Sequence, residues 1–306
     1  MKTAEVKLEP TFIYDNNKKV ELNIKRFTEK IVEKIFFISA CISIVSVFTI
    51  LFFIFLKGGP AILKVGVRDF LTGSEWIPEA DIYGIKPMLI ASVYATLGAT
   101  IISVPIGVLT AVFLAEIAPK SIAKIVKPAV ELLAGIPSVI YGFFGLLVIV
   151  PLIHKHIGGA GNSLLATIII LGIMILPTII NISENALRSL PKEYKEGSLA
   201  LGSSHIQTIF KVLIPAAKSG IFTSIVLGIG RAVGETMAVI LVSGNTPMIP
   251  HALTDRVRTM TANIAIEMGY AYGLHQEMLF ATGVVLLVFI MILNLVLNKV
   301  TNKAGV

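Results

Sequence analysis

Along this chain apolar residues gather into long uncharged blocks, and polar residues collect between them. A helix needs about 20 apolar residues to cross a bilayer. Six blocks meet that length: about 35–56, 88–115, 132–153, 163–183, 219–243 and 278–298. None alternates with a period of two. The pattern therefore predicts an all-α fold, a polytopic membrane protein with six transmembrane helices. The second block is long enough to tilt and holds Pro105 and Gly107 near its middle, which predicts a kink. The fourth carries Pro177 near its end, and the fifth alone is interrupted by charge, at Arg231 and Glu235. The first 34 residues are expected to be a cytosolic tail, with residues 35–306 forming the membrane domain.

Composition supports this reading. Only 15% of the 306 residues are charged and 55% are hydrophobic, whereas soluble domains carry about 25% charged residues. The net charge of +7 does not call for nucleic acid, because the basic residues flank the apolar blocks. Eighteen Lys and Arg fall in the two tails and in connections 116–131 and 184–218, against seven in the other three connections. The positive-inside rule then places both termini and the segment 184–218 in the cytosol. The first block lies too far in and is too long for a cleavable signal core, so it is expected to span. The lone Cys41 is expected to be a core or lipid-facing residue. His154 and His156 have no third ligand near them in sequence, and no metal site is expected. Trp76, in a connection that could cover the outer mouth, is expected to anchor at the interface. Residues 245–277 are expected to hold a short surface or re-entrant helix.

Two segments inside the blocks carry candidate chemistry. In Gly228-Ile229-Gly230-Arg231-Ala232-Val233-Gly234-Glu235, Arg231 and Glu235 are four apart and would share a helix face and pair. A charge at the centre of a span costs about 2.5–3.5 kcal/mol on insertion scales, so these residues should face protein or a watery path. Two readings stand: an ion pair that locks the bundle, or an anion way-station in which Arg231 offers its fork of donors and Glu235 holds it. In the third block, Gly135 and Pro137 can break or kink the helix near its start, with Ser138 beside them, and the segment either lines a path or is a plain packing contact.

The polar segment after the fourth block reads Glu196-Gly197-Ser198, three residues, Gly202, nine residues, then Val212-Leu213-Ile214-Pro215. It resembles the cytoplasmic loop of permease subunits of binding-protein-dependent ABC importers, Glu-Ala-Ala, three residues, Gly, nine residues, Ile-x-Leu-Pro. Glu196, Gly202 and Pro215 keep that spacing, and Gly197 and Ser198 stand for the alanines. The resemblance implies a MetI-like permease bundle whose loop 184–218 forms two short helices, the first docking into a cleft on an ATPase. No Gly-x-x-x-x-Gly-Lys-Ser/Thr stretch occurs, so this chain is expected to be a transport subunit and not an enzyme. It would bind no cofactor itself, with ATP and magnesium held by partner subunits.

Gly135-Ile136-Pro137-Ser138-Val139 through Tyr141-Gly142-Phe143-Phe144 resembles a segment typical of both permeases of phosphate importers, and Gly230-Arg231-Ala232 through Gly234-Glu235-Thr236-Met237-Ala238-Val239 is similar to the PstC-type permease of that system. That resemblance implies a prokaryotic cell-membrane protein paired with a PstA-like second permease, two ATP-binding subunits and an external phosphate-binding protein. It implies roles in phosphate passage for Arg231 and Glu235. The same machine for sulfate or molybdate is the nearest alternative. A proton-coupled secondary transporter, with Arg231 and Glu235 as a relay, is a more distant one.

Overall fold

A computed structural model describes residues 11–303. Residues 1–10 of the expected tail lie outside the described residues. The chain divides between Phe53 and Ile54 into two units. Helix α1 (Thr11–Val65) makes up the described part of the first and continues into the second. The larger unit then runs through α2 (Val67–Thr72) and a two-stranded antiparallel hairpin, β1 (Trp76–Ile77) and β2 (Ile82–Tyr83). After these come α3 (Lys86–Val112), α4 (Lys120–Gly135), α5 (Ser138–Phe144), α6 (Val150–His156) and α7 (Leu164–Arg188). The chain continues as α8 (Lys192–Ala200), α9 (His205–Thr208), α10 (Ile214–Ala216), α11 (Lys218–Gly234), α12 (Met237–Val242), α13 (Met260–Glu267) and α14 (Gly273–Lys303).

Among the described residues, five helical stretches are long and apolar enough to cross a membrane: Thr28–Val65, Lys86–Ile117, Ser138–His156, Leu164–Arg188 and Gly273–Leu297. A sixth arises if His205–Ala216 and Lys218–Gly234, bent by 68°, count together. The centre of the larger unit is α7 against α3 and α11. Ala91, Ala95 and Ala99 recur every fourth residue on α3 and meet Ile168, Leu171, Ile175 and Ile179 of α7. Small residues at helical spacing let two backbones approach, and in lipid such packing, more than water exclusion, drives helix association. Ser103 Oγ reinforces the seam by donating to the Gly172 carbonyl at 2.9 Å.

Three expectations need correction. The third block is not one helix over 132–153. Leu132 to Gly135 end the amphipathic α4, and the span begins at Ser138. Pro137 has no N–H and forces Ile136 into extended backbone (ψ 128°), which stops the helix. The fifth block, 219–243, is likewise broken, after Gly234. Trp76 is not an interface anchor: it is 6% exposed, and its indole N–H donates to Glu267 at 2.8 Å. A short helix does form within 245–277, as α13.

Candidate functional site

The break in the fifth span organises one site. α11 ends at Gly234, Glu235 is extended (φ −70°, ψ 132°), and α12 restarts at Met237. Broken backbone at membrane depth persists only where its polar groups find partners. Here Glu235 Oε1 accepts from the Ala238 N–H at 3.1 Å, and the Glu235 carbonyl accepts from Thr261 Oγ1 at 2.9 Å. Glu235 is thus a cap of α12.

Arg231 sits on the last turn of α11, half-buried, and donates through one terminal nitrogen to Thr178 Oγ1 at 3.3 Å. The expected Arg231–Glu235 pair is not among the described ion pairs. The break removes Glu235 from the helical repeat, so the four-residue spacing no longer places the two on one face. Thr178 carried no signal in the sequence beyond following Pro177.

The third-span break lies beside the fifth. Tyr141 Oη donates back to the Leu133 carbonyl at 2.7 Å, bridging Gly135, Ile136 and Pro137. α5 packs on α12 so closely that a Cβ on Gly142 would lie 2.7 Å from Ala238 Cα. Ser138 opens α5 at this junction. Two interrupted helices therefore restart against each other, one bearing the Gly135–Pro137–Ser138 segment and the other following Arg231 and Glu235.

The polar segment after α7 forms a second site. α8 carries Glu196, Gly197 and Ser198. Gly202 then takes φ +86°, a left-handed conformation that glycine adopts without strain. Ser204 and Gln207 form a reciprocal capping box that starts α9. Ser198 Oγ and Thr208 Oγ1, 3.0 Å apart, tie the two short helices, and Pro215 lies exposed in α10. Lys195 Nζ reaches Glu116 Oε2 at 2.6 Å, joining α8 to the turn that ends α3. Outward, Leu201 is 90% exposed, and a Cβ on Gly197 would meet nothing within 4 Å. Small size at Gly197 is not required by this chain's own packing.

Two polar clusters went unread in the sequence. Glu184, taken as the start of a loop, is buried in α7. Its Oε1 accepts from Arg188 Nε at 2.7 Å and Lys127 Nζ at 3.3 Å. Arg188 also donates to the Leu114 carbonyl at 2.8 Å. The second cluster surrounds the buried Glu267, which accepts from Trp76, is paired with Arg258, and lies 2.8 Å from His275 Nε2. Arg258 Nε continues to the Asn245 carbonyl at 2.8 Å. Beside this cluster, burial and the neighbouring Asp81 carboxylate push the Tyr83 phenol up to about 12. At Asp255, N–H donors from Ala252 and His251 hold the carboxyl below its ordinary value.

The comparisons with known proteins bear on this arrangement. Residues 103–304 match the family described as binding-protein-dependent transport system inner membrane component. The chain belongs to that family. It is an ABC importer permease, a transport subunit whose ATP hydrolysis is done by separate ATP-binding subunits. The permease is 42% identical over 278 residues to a probable ABC transporter permease protein, YqgH, of Bacillus subtilis, covering 88% of this chain and 90% of that one. It is 32% identical over 300 residues to a probable phosphate transport system permease protein, PstC, of Methanocaldococcus jannaschii, covering 90% and 95%. In fold, the permease is similar to a chain of the MetNI methionine ABC transporter in an inward-facing conformation, with a TM-score of 0.54 and 21% identity over 72% of this chain and 99% of that one. The expected MetI-like, all-α permease fold is thereby borne out.

Proposed function

We propose that this permease forms, with a PstA-like second permease, the translocation path of an ATP-driven importer of inorganic phosphate. The observation that carries this reading is Arg231: a guanidinium on a broken transmembrane helix whose recorded partner is a hydroxyl and not a carboxylate. Such a group keeps donors for an oxyanion, and its planar fork matches two phosphate oxygens. The PstC name of several relatives points the same way. Glu235 favours phosphate over sulfate on chemical grounds. Phosphate keeps at least one proton at neutral pH and can donate it to a carboxylate, whereas sulfate has none to give. Glu235 Oε1 is engaged by the α12 backbone, so the second oxygen is the candidate acceptor. The Gly135–Pro137–Ser138 break would line the same path.

In this reading both termini and α8 face the cytosol of a prokaryote. Two ATPases holding ATP and magnesium act on α8 around Glu196, Gly197 and Ser198. The Gly202 turn and α10, which holds Pro215, pass that movement to α11, and an external phosphate-binding protein delivers the cargo. The deciding experiment is uptake of labelled phosphate by the reconstituted complex carrying Arg231→Gln. Uptake is expected to vanish while the complex still assembles; wild-type uptake would sink the reading. Competition with unlabelled sulfate and molybdate separates phosphate from the other oxyanions, and Glu235→Gln is expected to narrow the preference. For the coupling surface, Gly202→Asp is expected to detach or uncouple the ATPase, read by co-purification and transport together.

A further inference from the structure

The hairpin after α2 and the start of α14 enclose a cavity of about 360 Å³ that the proposed anion path does not use. Tyr83 and His275 line its depth, Tyr270 and Tyr272 flank it, and Glu79 and Asp81 bring carboxylates to its rim. The depth is fixed. Tyr83 is 3% exposed, and the His275 ring sits 6.3 Å from the Tyr83 ring and 6.0 Å from that of Tyr270 while its Nε2 contacts buried Glu267. The flanks are open: Tyr270 is 62% and Tyr272 85% exposed, so neither large ring serves mainly this chain's own core. Burial raises the Tyr83 and Tyr270 phenols; Asp81, Glu79 and Glu267 add to this at Tyr83, and at Tyr270 Glu267 and Glu79 add to it while Arg258 opposes it.

We propose that this cavity is a docking socket for a lysine or arginine side chain of the external substrate-binding protein. Aromatic faces present negative charge to a cation, and the Glu79 and Asp81 carboxylates complete the complementarity. An acidic side chain would meet like charge. Tyrosine and arginine, with tryptophan, are enriched among the residues that dominate interface energetics. The family depends on a binding protein, and the charge count over the connections puts this hairpin on the outer face. The socket does not depend on which anion is carried.

The test measures binding of the loaded substrate-binding protein to the complete transporter in lipid nanodiscs. Tyr272→Ala, and separately Glu79→Gln with Asp81→Asn, are expected to weaken binding by about ten-fold, the second also flattening its salt dependence. ATPase activity without the binding protein should stay unchanged. Neutralising the exposed lysines and arginines of the binding protein one at a time should find one whose loss is not additive with Tyr272→Ala. Unchanged affinity in both transporter variants, or additivity for every basic residue, overturns the socket. A second arm uses free arginine, tetramethylammonium and magnesium chloride without the binding protein. If these stabilise the wild-type transporter but not Tyr272→Ala, while that variant still binds the protein normally, the cavity is a small-cation site and the docking role is refuted.

Discussion

Glu184–Arg188 and Arg231–Glu235 have the same spacing and opposite fates. The first lies on an unbroken stretch of α7 and closes an ion pair at 2.7 Å. The second straddles the end of α11, and its members turn to different partners, Thr178 and the Ala238 N–H. Order along the chain also differs. Acid before base complements the helix dipole at both positions, and base before acid opposes it. Spacing alone therefore says that two charges can meet, while backbone continuity decides whether they do. The closed pair anchors α7 to α4 through Lys127, although Glu184 Oε2 is buried without a hydrogen-bond partner. In the open one each side chain keeps a separate neutral partner.

The sharpest way to break this comparison is to replace each arginine by methionine. Arg231→Met should lower phosphate uptake by about 100-fold or more, on the scale of losing one preorganised charged donor, with the yield of folded complex unchanged. Arg188→Met should do the reverse. It leaves Glu184 with Lys127 alone and should cost about 1–3 kcal/mol, seen as a lower unfolding temperature, with uptake per folded molecule within a few-fold of wild type. If both variants lose yield and retain uptake, the contrast between the sites fails. A smaller effect is expected from Thr261→Val, which frees the Glu235 carbonyl; a loss of about 1 kcal/mol should appear as faster hydrogen exchange around residues 235–238. The smallest is expected from Thr178→Val. Arg231 loses its hydroxyl partner, uptake should fall about five-fold, and Thr178→Ser should restore it.

Much of the fold was legible because membrane helices must be apolar over a fixed length. The spans of α3, α7 and α14 lie within a turn or so of the blocks that predicted them, and Glu196, Gly202 and Pro215 fall on the predicted short helices and turn. The interruptions were harder to read. Hydropathy does not distinguish a straight apolar helix from one that stops for two residues, so Pro137 was visible as a break or a kink and the extended Glu235 was not visible at all. Glu184 ended an apolar block and looked like the start of a loop, although Arg188 four residues on was the local clue to a continued helix. The Trp76–Glu267–His275 cluster had no local signal: Trp76 and Glu267 are 191 residues apart, and only the folded chain brings them together.

One short helix joins two places treated separately above. α13 holds the Glu235 carbonyl through Thr261 near its start, and at its end Glu267 gathers Trp76, Arg258 and His275. Six residues of α-helix span about 9 Å, too short to flex. The two polar networks are therefore held at a fixed separation by one rigid element. Hydrogen bonding at the break in the fifth span and the buried carboxylate beside the hairpin thus share one short support.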